Sequence, residues 1–160
     1  MHQAVASVDD FEFVSAVDAQ MWKDVEALFY FHPRQGELIG SIRSSVEAHG
    51  SPEILRRGGR IYVGIPKNDA QCLFACHPAR RPGVPVGVVL YLRTTPELLR
   101  ILHVAVAPPY ELDGPLGQRQ LALRLVNEVR ALARRIKGVR RVQLPYCEGR
   151  FLPVLAGATP

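Results

Sequence analysis

The sequence predicts an α/β domain built on a mixed, mainly antiparallel sheet flanked by helices. Three observations carry that prediction. Short β-branched and apolar runs recur through the middle of the chain, with turn chemistry between them. Two of these runs, 86–92 and 98–107, are apolar on both faces, the pattern of central strands. The second runs through a glycine-containing loop into a long amphipathic helix and a further strand, a unit that builds parallel pairs.

Taken in order, residues 11–17 alternate loosely and predict a first strand. Asp18 is placed to cap a helix in which Met21, Val25, Leu28 and Phe29 recur at helical spacing. His32-Pro33 ends it, because a residue before proline is pushed out of the α region. A second helix is expected over 37–48, closed by Gly50. Residues 52–55 suggest one further helical turn, and Gly58-Gly59 a break. Strands follow at 60–65 and 71–76, separated by the turn Pro66-Lys67-Asn68-Asp69. Residues 78–85, with three prolines, Arg80, Arg81 and Gly83, read as an exposed loop. After strands 86–92 and 98–107, Pro108-Pro109 stops the chain. Leu121, Leu125, Val129, Leu132 and Ile136 then form one helical stripe, ended by Gly138. Residues 139–144 complete the series as a final strand.

A length of 160 residues fits one domain, 1–160, at about 100–200 residues each. With 48% hydrophobic and 22% charged residues, the chain can bury a core, which excludes disorder as its main state. No apolar run approaches the roughly 20 residues that span a bilayer. Residues 1–5 lack a basic segment leading into an apolar one, so no signal peptide is expected. Cys72, Cys76 and Cys147 cannot all pair within one chain, which favours a reducing compartment and a cytoplasmic location. Cys72 and Cys76 are most simply core residues, since no second cysteine pair completes a zinc set; no metal is expected.

The net charge of +5 is concentrated. Residues 119–150 hold nine Lys/Arg against Glu128 and Glu148. A solvated helix face accounts for this, and an anionic partner is the alternative. Nucleic acid is the weaker form of that alternative, because the stretch lacks the interleaved aromatics used for base stacking.

Chemistry is suggested at the segment from Ile101 through Leu121. A strand entering a glycine loop and then a helix presents free backbone N–H groups and a helix dipole, an anion site. The loop lacks the Gly-Lys-Ser/Thr ending of a Walker motif and the dinucleotide G-x-G-x-x-G. On these residues the region 71–146 resembles the GCN5-related N-acetyltransferase (GNAT) superfamily as a divergent member. Its loop has Leu112 and Pro115 at the first two signature positions, and Gly114 one place out.

The resemblance implies an acyl-CoA N-acyltransferase-like fold binding acetyl-CoA or another acyl-CoA. It implies that Val104, Ala105 and Val106 pair with the pantetheine amides. The N–H groups of Gly114, Leu116, Gly117 and Gln118 would face the pyrophosphate, with Arg119 or Arg124 on the 3′-phosphate. Acetyl transfer by direct attack of an amine on the thioester needs a proton acceptor. His103 is the one titratable side chain of useful pKa on that strand, placed by alternation opposite Leu102, Val104 and Val106. Tyr146 is the candidate acid. The acceptor would be a small-molecule or protein amine. The alternative is a catalytically silent domain of the same fold that binds a protein partner, or a second copy of itself, through a sheet edge left open by the short C-terminus.

Overall fold

The computed structural model describes residues 10–30, 39–144 and 151–154. It shows a mixed α/β architecture in which the strands divide into two sheets rather than the one expected. The larger has the order β1 (Glu12–Val14), β5 (Gln71–His77), β6 (Arg81–Thr95), β7 (Leu98–Val106), β8 (Arg141–Gln143) and β9 (Phe151–Pro153). All its pairings are antiparallel except β7 with β8. The smaller has the order β2 (Val17–Asp18), β4 (Arg60–Gly64) and β3 (Glu53–Arg57). The run 11–17 therefore breaks after Val14 and serves both sheets.

The described residues include three α-helices, α1 (Trp22–Phe29), α2 (Ile39–His49) and α3 (Leu121–Ala133), of which α1 and α3 contribute to the cores below. The Asp18 carboxylate accepts from Gln20 N at 2.8 Å, capping the turn that leads into α1. Gly50, at φ +99°, closes α2 by donating to Val46 O at 2.8 Å. The helix stop expected at His32-Pro33 lies outside the described residues.

Three expectations are corrected. Residues 52–55 do not form a helical turn: Glu53–Arg57 pairs along its whole length with β4 across Gly58-Gly59. The run holds too little periodic contrast to show this alone. Residues 78–85 are not wholly loop, since β6 starts at Arg81 and opens with exposed residues. It reaches Cys76 and His77 through an irregular register that accommodates Pro85. The C-terminus does not leave β8 at the edge, because Phe151–Pro153 pairs with it.

Two cores lie on opposite faces of the larger sheet. One joins Val86, Val89, Leu99, Ile101 and Val142 to Leu121, Leu125 and Val129 of α3. The other joins Val88, Leu90 and Phe74 to Val25 and Phe29 of α1 and to Ile61 and Val63 of the small sheet. Alternation along β6 assigns Val88 and Val89 to different cores, which is why residues 86–92 are apolar throughout. Cys72 and Cys76 are buried in the second core, as expected. Burial pushes the Cys72 thiol up to about 11, so it stays protonated.

Candidate functional site: the open edge of β7

Among the described residues, strand β7 is paired on both sides only over its first three residues. Leu98, Leu99 and Arg100 face Arg141, Val142 and Gln143 of β8 in parallel. Beyond that point, β6 continues beside β7 as far as the Gly87–Val106 pair. Among the described residues, no strand pairs with the β8 side of residues 101–105. The direction of the backbone groups follows from one bond: Ala107 N donates to Val86 O at 2.8 Å. Antiparallel alternation then points the N–H and C=O of Ala105 toward β6, and those of Val104 and Val106 toward the open side. Of the three residues expected to meet a pantetheine arm, Val104 and Val106 turn their backbone groups away from β6 and Ala105 turns its own toward it.

A bulge interrupts β7. Leu90 is opposite His103 and Tyr91 opposite Ile101, so Leu102 is an extra residue. This corrects the simple alternation expected for His103. Leu102 and Ala105 both belong to the α1-side core, and His103 lies with them, its ring 4.9 Å from that of Phe29 at 72°. His103 is buried.

Arg100, the residue at the last paired step, lies on the same side as its neighbour in register, Leu92 of that core. Its Nε donates to Gln143 Oε1 at 2.6 Å, and its Nη1 donates to His49 Nε2 at 3.1 Å. His49 closes α2, so the contact fixes the end of α2 over the point where pairing stops. An imidazole nitrogen accepting from a guanidinium is unprotonated, which leaves the His49 proton on Nδ1. Burial first, and then the Arg100 charge, pull His49 below the ordinary imidazole value.

The far end of the open edge meets the head of α3. A Cβ on Gly87, the partner of Val106, would lie 3.0 Å from Leu125 Cδ1 and 3.1 Å from Leu121 Cδ2. Glycine thus lets the first turns of α3 rest on the sheet there. Between β7 and α3 the chain folds tightly on itself. Gly114 N donates to Glu111 O at 2.8 Å, Leu116 N to Pro109 O at 2.8 Å and Gly117 N to Gly114 O at 3.0 Å. A Cβ on Gly114 would lie 2.5 Å from Pro108 O, and one on Gly117 would meet the carbonyl oxygens of Leu112 and Glu111. Both glycines are demanded by backbone packing.

Three of the four loop amides expected to face a pyrophosphate are therefore engaged within the loop. Gln118 N has no backbone acceptor among the described residues, and neither do the amides of Leu121, Ala122 and Leu123. Gln120 caps α3 in a left-handed conformation, φ 50° and ψ 48°, without a side-chain bond. The donor set is thus displaced toward the helix by about one turn.

Charges of both signs lie at this loop, with Glu111 and Asp113 in it and Arg80, Arg81 and Arg119 near Tyr110. The Tyr110 hydroxyl shares a hydrogen bond of 2.7 Å with His77 Nδ1, and both rings pack on Phe11. Burial raises the Tyr110 hydroxyl, opposed by the nearby charges of Arg80, Arg119 and Arg81. Arg119 lies in the short turn Gly117–Arg119. Arg124 lies over the Phe11 ring at 5.0 Å, with Nη1 3.4 Å from Asp10 Oδ1. Tyr146 and Cys147 lie outside the described residues. Among the described residues, no cluster of His, Cys, Asp and Glu is suited to hold a metal ion. No helix there is long and apolar enough to cross a membrane.

The sequence pointed to His103 and the loop but missed Arg100, Gln143 and His49. Its available signal was Arg100 itself, a charge inside an otherwise apolar strand.

No family model matches the chain, and no curated protein matches it. Solved acetyltransferases match it at low sequence identity and with TM-scores below 0.5. An acetyltransferase from Trypanosoma brucei is 17% identical over 87% of this chain and 84% of its own, with a TM-score of 0.48. One from Streptococcus agalactiae is 15% identical over 87% and 74%, with a TM-score of 0.45. A GNAT family acetyltransferase from Elizabethkingia anophelis, solved with acetyl-CoA bound, is 14% identical over 59% and 63%, with a TM-score of 0.39.

Proposed function

We propose that this chain is an acyl-CoA-dependent N-acyltransferase that transfers an acetyl group to an amine. The observation that carries the proposal is the β7 edge, paired at one end, without a partner strand among the described residues along 101–105, and leading to the head of α3, which has no side-chain cap. An extended amide-bearing arm satisfies such an edge as a strand would, and a diphosphate satisfies the helix head.

Acetyl-CoA, when bound, supplies a thioester carbonyl to which the amine nitrogen bonds as the carbon–sulfur bond breaks and the thiolate leaves. Val104 holds the arm through its outward backbone groups. The amides of Gln118, Leu121, Ala122 and Leu123 hold the diphosphate, while Gly114, Leu116 and Gly117 shape the loop beneath it. Arg119 adds positive charge for the phosphates. His103 accepts the proton that the attacking amine loses.

Thermal unfolding with and without acetyl-CoA tests this directly. Ligand at 100 times its dissociation constant adds about 2.7 kcal/mol, a clear rise in Tm. His103→Ala is expected to keep that rise and lose turnover. An unchanged Tm at millimolar acetyl-CoA and CoA would remove the acyltransferase proposal. It would favour the silent domain, which the self-bonded amides of Gly114, Leu116 and Gly117 otherwise support.

A further inference from the structure

Arg100 is placed like a ligand-binding group. It lies partly buried at the step where β7 loses β8, on the His103 side of the strand. Its partners, Gln143 Oε1 and His49 Nε2, are both neutral. Among the described residues it has no carboxylate partner, in contrast to Arg81 with Asp24 and Arg124 with Asp10. Withdrawing a guanidinium from water without a counter-charge is costly. Two of its five N–H groups are committed, and those two contacts fix the plane of the fork. The remaining donors are oriented in advance for a planar anion.

We propose that Arg100 binds the carboxylate of the amine acceptor, so that the acceptor is a free amino acid or a closely related amino carboxylate. This rests on the acyltransferase proposal for the meaning of "acceptor", but the binding itself does not. Arg100 and His103 leave one side of β7 roughly 10 Å apart along the strand. A molecule whose amine and carboxylate are a few ångströms apart spans that interval with a hydrogen bond of about 3 Å at each end. The carboxylate on Arg100 and the amine toward His103 then set the acceptor's direction in the site. Gln143 and His49 are positioning residues, since they act by holding the guanidinium.

The test compares glycine, L-glutamate, L-lysine and L-phenylalanine, each against its own carboxamide, on the full chain. With saturating acetyl-CoA, release of CoA thiol is expected to favour at least one acid over its amide by about tenfold or more in kcat/KM. Arg100→Gln is expected to erase that preference while leaving the acetyl-CoA-induced rise in Tm intact, and Arg100→Lys to restore part of it. Amides serving as well as acids, or a preference that survives in Arg100→Gln, would overturn the proposal. The acid and amide comparison on the unaltered chain stands even if a variant fails to fold. Tm measured with the same acids and amides in the absence of acetyl-CoA separates the two proposals. An acid-specific, Arg100-dependent rise sustains the carboxylate site even where acetyl-CoA produces none. Absence of any acid-specific effect in both assays refutes it.

Discussion

The two halves of β7 are both mainly apolar and have different surroundings. Residues 98–100 lie between β6 and β8, whereas residues 101–105 keep β6 alone among the described residues. The first half behaves as core: Leu99 is 2% exposed and packs with Val142 under α3. The second half is equally apolar, yet half its backbone groups face no described strand. Apolar side chains hold both halves in the sheet, while pairing decides which half keeps backbone groups with no described strand beside them. The bulge at Leu102 sits just past the boundary, where it turns His103 to the α1 side.

Proline substitution breaks this contrast most severely. Ala105→Pro removes a donor aimed at β6 and strands the Val88 carbonyl inside the sheet, which alone costs about 1–3 kcal/mol; loss of ladder geometry adds to it. Val104→Pro removes a donor aimed at the open side, where proline is tolerated as on an edge strand. Urea unfolding should therefore show the larger loss for Ala105→Pro, and acetyl-CoA should stabilise Val104→Pro less than the unaltered chain. Equal losses of stability would mean that the open side is filled by other parts of the chain.

The contrast also explains what was legible in advance. The strands at 60–65, 71–76, 86–92 and 98–107 and the α3 stripe were readable because burial on both faces, or on one stripe, leaves a strong pattern. β3 was not, because Glu53-Ile54-Leu55-Arg56-Arg57 lies on a sheet edge and is held by its pairing with β4. The start of β6 was hidden by Pro82, Gly83 and Pro85, which the irregular hairpin tolerates. At the site, His103 and the glycine loop were visible as residue types. The cluster of Arg100, Gln143 and His49 was not, since it joins residues 43 and 51 positions apart in the chain. The bulge left no trace in a pattern that is apolar on both sides.

A smaller effect separates the loop's glycines from those elsewhere. Gly117→Ala drives a Cβ into the Glu111 and Leu112 carbonyls, backbone that cannot swing aside. Overpacking of this kind costs about 1–3 kcal/mol. Gly59→Ala, at the β3–β4 turn, meets nothing within 4 Å and has no positive φ. Its stability in urea should stay within about 0.5 kcal/mol of the unaltered chain. If both cost the same, the loop is not tightly packed, and the head of α3 is less rigidly placed than its geometry implies.

The subtlest contrast is in pH dependence, and it belongs to the boundary itself. His49 is held unprotonated over Arg100, with its folded-state value below that of the unfolded chain. As pH falls through about 6.5, the unfolded chain takes up a proton that the folded chain still refuses. The unfolded state then binds more protons, so stability declines with falling pH over that window. Replacing His49 by Gln keeps an acceptor for Arg100 and removes the titration. The unaltered chain should therefore lose stability relative to His49→Gln on going from pH 7.5 to pH 5.5, the difference closing again above pH 7. Parallel pH profiles for the two chains would show that burial and the Arg100 charge do not suppress the imidazolium, and the contact that ties α2 to the end of β8 would have to form differently in solution.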